Sequence, residues 1–287
     1  MTKTDIITAL TFNISWAYQQ RTKAGSEEDF VRNCLEKKII CFENCLDIIA
    51  NINNLHLVGL QEVNTIQIEE DIIKSHVSLN KYVRGTVLHS SASSTVSLIW
   101  DSKIFGESRE NKVVNLCEGT GENRPCLFVR TSNGYQLICA HFPWIQDEKH
   151  LNKVYNSIRN NCFNTVLKTI ILADTNDTQT LISKNDPFIF GSQQLSQGLT
   201  KKELEAGLIS CCWHEQNHSL GWQSFNATGD YILADSSIMQ HNYILDEHKE
   251  QLASDHRPVL ALLKLPRANL CDQCRSNQEK DMCERSN

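Results

Sequence analysis

Apolar residues in this chain gather in short runs that stop abruptly at acids, amides or imidazoles, with stretches of helical spacing between them. Ile6 to Ile14 predicts a first strand whose polar end lies at Asn13 or Ser15, and Leu55 to Leu60 predicts a second that leads into Gln61-Glu62-Val63. Between them, Ser26 and Asp29 fit a loose helix N-terminus. Phe30, Cys34, Ile40, Cys41, Cys45, Ile48 and Ile49 approximate one apolar face. Tyr82 to Val114 holds room for two to four strands, clearest at Thr95 to Trp100, with Asp101-Ser102 as a turn. Cys126 to Arg130, Ser132-Asn133-Gly134 and Tyr135 to His141 spell a hairpin.

The second half repeats this grammar. Leu151, Val154, Tyr155, Ile158, Cys162, Val166 and Leu167 predict a helix over Asp147 to Lys168. It feeds Thr169 to Asp177, where Ile170-Ile171-Leu172 suits a strand buried on both faces, ending in Asp174-Thr175-Asn176-Asp177. From Thr178 to Gly221 the pattern weakens to a short helix near Lys201 to Ala206 and loops. Gly229 to Leu233 is a strand that Ser237 to Leu245 is expected to pair with. Val259 to Leu263 is a last buried strand, entered through Ser254-Asp255-His256-Arg257-Pro258. Patterning disappears after Pro266, which predicts one domain over residues 1–265 and a mobile tail over 266–287.

Composition narrows the class. A chain of 287 residues buries a sizeable core, and it has no long apolar span to cross a membrane. The N-terminus has no signal-peptide pattern, so an intracellular place, cytoplasmic or nuclear, is expected. Twelve cysteines scattered through apolar runs fit core thiols in a reducing compartment. Cys271, Cys274 and Cys283 suit either an unstructured tail or three ligands of a zinc site, with His241 or His248 folding back as the fourth. A net charge of −6 argues against holding nucleic acid by overall attraction and leaves room for a local basic groove.

Asn13, Glu62, His141, Asp174, Asn176, Asp230, Asp255 and His256 all stand at or beside the edge of an apolar strand, and six strands contribute. Each has a plain structural use as well. The Asp-Thr-Asn-Asp cluster turns the chain or caps a helix, a strand-end Glu is often solvated, and a strand-end His often only completes a hydrogen-bond network. On one rim of a sheet sandwich they would instead offer carboxylates for a hard cation, amides and imidazoles for an anion, and an Asp as general base.

The order Asn, Gln-Glu, His, Asp-x-Asn, Asp-Tyr-Ile-Leu, Ser-Asp-His resembles the endonuclease/exonuclease/phosphatase superfamily over roughly residues 5 to 265. The resemblance implies an α/β four-layer sandwich, two packed mixed sheets flanked by helices, acting as a Mg²⁺-dependent phosphoesterase in which Mn²⁺ substitutes. It implies Glu62 as principal metal ligand with Asn13 and Asp255 assisting. Asp174 would deprotonate the attacking water, and Asn176, His141 and Arg124 would contact phosphate oxygens, as would Asn13. Asp230 would orient His256. Three departures stand out. Ser15 replaces the Asp of repair-type members, Ala173 replaces the usual Gly, and Asp174-Thr175-Asn176 resembles the variant of tyrosyl-DNA phosphodiesterases.

Nucleic acid is the expected substrate class, with Trp16, Trp144 and Trp222 as stacking surfaces or as core. The alternatives are a phosphatase or phosphodiesterase for phosphoinositides, phospholipid headgroups or small nucleotides, and a noncatalytic binding module. The last should have lost Glu62, Asp174 or His256, and all three are present.

Overall fold

The computed structural model describes residues 4–14, 42–63, 66–89, 92–117, 123–145, 147–163, 168–176, 188–190, 193–196, 213–215, 222–224, 229–245, 256 and 258–266. The strands are β1 (Thr4–Asn13), β2 (Leu55–Gln61), β3 (Lys81–His89), β4 (Ala92–Trp100), β5 (Ser108–Asn115), β6 (Pro125–Thr131) and β7 (Tyr135–His141). They continue as β8 (Lys168–Asp174), β9 (Phe188–Phe190), β10 (Gln193–Ser196), β11 (Trp213–Glu215), β12 (Trp222–Ser224), β13 (Asp230–Asp235), β14 (Met239–Ile244) and β15 (Val259–Pro266). The described helices are α1 (Phe42–Ala50), α2 (Gln67–Ser75), α3 (Ser102–Phe105) and α4 (Glu148–Asn161).

Among the described residues a six-stranded sheet runs β14-β15-β1-β2-β4-β3 and a seven-stranded sheet runs β5-β6-β7-β8-β13-β10-β9, with β11 and β12 paired apart. The period-two pattern of each central strand decides how these layers stack. In β8, Ile170 and Leu172 enter the core between the sheets, where they meet Ile7, Ala9 and Leu57. Ile171 and Ala173, on the other face, pack with Leu151, Val154, Tyr155 and Ile158 of α4. Leu10 and Phe12 of β1 bury the opposite outer face against Cys45, Ile48 and Ile49 of α1 and Ile68 and Ile72 of α2. The result is helix, sheet, sheet, helix, the four-layer sandwich expected from sequence.

The sheets approach closely at Gly59, where an added Cβ would lie 2.6 Å from Leu172 Cβ. Cys45, Cys117, Cys126 and Cys139 are buried and Cys162 is half-buried, so the described cysteines are core residues. No described helix is long and apolar enough to cross a membrane.

Four expectations change. The helix after Asp147 stops at Asn161, because Cys162 turns to extended backbone, and Lys168 already belongs to β8. Asp101-Ser102 opens a helical turn, not a bare loop, with the Asp101 carboxylate accepting from the Lys103 N–H at 2.8 Å. The weak stretch after Thr178 contains the short strands β9, β10 and β11.

The fourth change is topological. β14 pairs with β15 in the other sheet and not with β13. The Asp235 carboxylate accepts from Ser237 N–H and Oγ–H at 2.9 and 2.6 Å, and Ile238 and Met239 then enter the core between the sheets. Burying those two side chains carries the chain across. Most of the helix expected from Ser26, the helix that the Asp174 to Asp177 cluster would cap, the helix near Lys201, the cysteines of the tail and the residues beyond Pro266 lie outside the described residues.

Candidate active site

Strand register alone gathers the polar ends. The parallel pairing of β7 with β8 sets His141 opposite Asp174, and the antiparallel pairing of β8 with β13 sets Asp230 on its other side. In the facing sheet, parallel β1 and β2 set Asn13 opposite Gln61, with Glu62 next. Antiparallel β15 places Val259 opposite Thr11, so His256 approaches the same rim from just before that strand.

Asp174, 1% exposed, is the hub. Asn13 Nδ2 donates to its Oδ2 at 2.8 Å and to Glu62 Oε1 at 3.3 Å. The Asn176 N–H donates to its Oδ1 at 3.0 Å, fixing the carboxylate plane. His141 Nε2 and His256 Nε2 lie 3.4 and 3.9 Å from Oδ2. The expected pair is present: His256 Nδ1 and Asp230 Oδ2 are 2.7 Å apart, a charge-assisted distance that turns Nε2 toward Asp174.

Arg124 Nη1 donates to His141 Nε2 at 2.9 Å, which requires that nitrogen to be unprotonated and puts the ring proton on Nδ1. Burial pushes the imidazole down to about 4, against a raising influence from Asp174, and Arg124 and His256 push the same way as burial. The ring is neutral at pH 7, so its 3.4 Å approach to Asp174 is not an ion pair there. His141 is thus the acceptor that fixes the Arg124 guanidinium at this rim.

Glu62 and Asn176 both occupy the left-handed region, at φ 57° and 47°. For Glu62 this costs on the order of 1–3 kcal/mol, and such strain clusters where chemistry needs a fixed side chain. Asn176 tolerates the conformation better. Its Nδ2 donates to the Phe142 carbonyl at 2.8 Å, which uses one amide hydrogen and leaves the other for a ligand.

Gln61 is a residue that strand-end reasoning missed. Wholly buried, it donates from Nε2 to Thr11 Oγ1 at 3.1 Å, to Cys139 Sγ at 3.3 Å and, at 3.5 Å, to the Leu172 carbonyl. Cys139 Sγ in turn donates to the Leu60 carbonyl at 3.4 Å. Gln61 thereby links the strand that carries Glu62 to the two that carry His141 and Asp174. The available signal was an amide on the inward face of β2, in register with Leu57 and Gly59.

A hard divalent cation suits this donor set, which offers carboxylates and an amide with no thiolate. The acids of Glu62, Asp174 and Asp230 converge while His141 stays neutral, so a positive charge would offset their repulsion. Asp174, Asp230 and His256 also bring one ligand atom each within 4.8 Å of one another. Asp230 and His256 are themselves joined by a 2.7 Å bond, so the trio also forms a hydrogen-bonded relay. Asp255, expected as a ligand, lies outside the described residues.

Neither a protein-family model nor a curated protein matches the sequence. Solved structures do match the fold. An endonuclease/exonuclease/phosphatase from Bacteroides vulgatus superposes with a TM-score of 0.61 at 16% identity, covering 91% of this chain and 99% of that one. ANGEL2, a 2′,3′-cyclic phosphatase in complex with adenosine-2′,3′-vanadate, gives 0.57 at 12% identity over 92% and 96%. D. rerio TDP2, complexed with a single-strand DNA product, gives 0.54 at 13% identity over 90% and 99%. The fold of this chain is that of the endonuclease/exonuclease/phosphatase superfamily.

Proposed function

We propose that this chain is a divalent-metal-dependent phosphoesterase that hydrolyses a phosphodiester of nucleic acid or of a nucleotide. The observation that carries the reading is the buried Asp174 carboxylate, fixed by Asn13 and the Asn176 N–H and faced by His256, which is itself held by Asp230. Phosphodiester hydrolysis needs a base aimed at water and donors aimed at the anionic oxygens, already in place when the substrate arrives.

Asp174 takes the proton of the attacking water. With its Nδ1–H held by Asp230, His256 in its protonated form donates its Nε2–H to the charge that develops on the phosphoryl oxygen. The second amide hydrogen of Asn176 donates to a nonbridging oxygen, and Arg124, steadied by His141, adds charge at the same group. Glu62 and the Asn13 carbonyl oxygen would hold the cation together with Asp255, since the Asn13 amide nitrogen is engaged by two carboxylates. A bound Mg²⁺ or Mn²⁺ supplies positive charge to the phosphoryl oxygens and acidity to a coordinated water.

A nucleotide-type substrate is supported by the fold's likeness to a cyclic phosphatase that holds an adenosine-vanadate and to a protein that holds a DNA product. The net charge of −6 favours a second reading, a smaller phosphoester such as an inositol phosphate or a phospholipid headgroup. The test is a Mg²⁺-supplemented panel of plasmid, single-stranded DNA, RNA, 5′-tyrosyl DNA, 2′,3′-cyclic nucleotide, inositol phosphates and sphingomyelin, with Asp174→Asn as the blank. Turnover of a nucleic acid or nucleotide that the blank and a chelator both abolish is expected. Turnover of inositol phosphates or sphingomyelin alone selects the second reading. None on any substrate sinks both and leaves a binding module.

A further inference from the structure

The chain leaves β7 through Phe142-Pro143-Trp144-Ile145, and this segment is bolted to the catalytic strand at both ends. The Phe142 N–H donates to the Asp174 carbonyl at 2.7 Å, and the Phe142 carbonyl accepts from Asn176 Nδ2 at 2.8 Å. Three residues on, the Ile145 N–H donates to the Asn176 carbonyl at 3.3 Å. Phe142 and Ile145 are both buried with the α4 face, where Phe142 meets Tyr155 edge to face at 6.3 Å between ring centroids. Pro143 is also buried, and its ring fixes φ.

Between these anchors Trp144 is 59% exposed. Its neighbours on both sides found apolar cover, yet the largest side chain of the segment stays in water, on backbone tied to Asp174 and Asn176. A stiffly mounted, solvated indole loses little freedom when it stacks, and every nucleobase offers it a π-face. The bases of a duplex are already stacked on both sides, so an unpaired base is the one that gains.

We propose that Trp144 is a base-stacking residue that selects substrates with an unpaired nucleobase beside the phosphate handled at Asp174. This rests on the phosphodiesterase reading above and narrows its substrate to single strands, frayed ends or free nucleotides. His141 stands at the foot of the same segment and holds Arg124 by a side-chain bond, so the base would be gripped beside the arginine that meets its phosphate.

Binding tests this apart from turnover. The full chain carrying Asp174→Asn, with Mg²⁺, is titrated by fluorescence anisotropy with a labelled single strand, the same strand with abasic sites, and the corresponding duplex. Adding Trp144→Ala should weaken single-strand binding about ten- to a hundred-fold, while the abasic strand is bound alike by both proteins. Trp144→Phe should recover most of the loss, which also shows that the effect is not one of folding. Equal single-strand affinities with and without the indole, an equal loss on abasic and normal strands, or no single-strand binding at all would each overturn the assignment. Failure of the phosphodiesterase reading looks different, as a wild-type chain that binds single strands through Trp144 and turns over nothing in the panel.

Discussion

One amide nitrogen of Asn13 reaches two carboxylates, lying 2.8 Å from Asp174 Oδ2 and 3.3 Å from Glu62 Oε1. It ties the first strand of one sheet to the central strand of the other, and it holds apart two acids that are asked to do different work.

That division of labour is measurable. Glu62→Gln keeps the size of the side chain and removes charge, so its activity should fall and be partly restored by raised Mg²⁺ or by Mn²⁺. Asp174→Asn removes the proton acceptor, which should lower turnover about 10²–10⁴-fold with no restoration by metal. Turnover against metal concentration for each variant decides the matter. Equal restoration of both, or of Asp174→Asn alone, would reverse the two roles.

Asp230 and His256 form a unit. Each of Asp230→Ala and His256→Ala should reduce turnover by orders of magnitude, and the double variant should be little worse than the poorer single. Losses that multiply fully would mean that the 2.7 Å bond is not what makes the imidazole effective.

The neutral state of His141 makes stability depend on pH. Its imidazole titrates near 4 in the folded chain and near 6.5 when unfolded, so between those values the unfolded state binds the extra proton. The contribution is complete above pH 6.5 and is lost as pH falls toward 4. Urea midpoints with chelator present should therefore drop between pH 7 and pH 5 more steeply in the wild type than in His141→Gln. Parallel slopes would show that the ring is not buried neutral.

Gly59→Ala tests the spacing of the sheets. The new Cβ meets Leu172 Cβ at 2.6 Å, and neither atom can swing away, so the sheets must part. Overpacking of this kind costs about 1–3 kcal/mol. Gln61 lies two residues on, and parting the sheets stretches its bonds to Cys139 and Leu172, so turnover should fall along with the melting temperature. A variant with wild-type stability and activity would show that the contact relaxes freely.

Strand ends were legible because they are local events. An apolar run that halts at Asn13, Glu62, His141 or Asp174, or opens at Asp230, marks its own boundary through period-two burial and turn chemistry, and nothing distant has to be known. Their order along the chain also sufficed to suggest the superfamily whose fold the structure has. Pairing is different, since any apolar strand matches any other until the layers are assembled. Ser237 to Leu245 therefore read as the partner of β13, whereas burial of Ile238 and Met239 between the sheets delivers β14 to β15. The distances that make strand ends into a site also belong to the tertiary structure. Asn13 and Asp174 are 161 positions apart and meet because two sheets pack face to face. The left-handed backbone of Glu62 and the inter-sheet bonds of Gln61 exist only in that packed state, where surrounding contacts offset the strain and the desolvation of the amide.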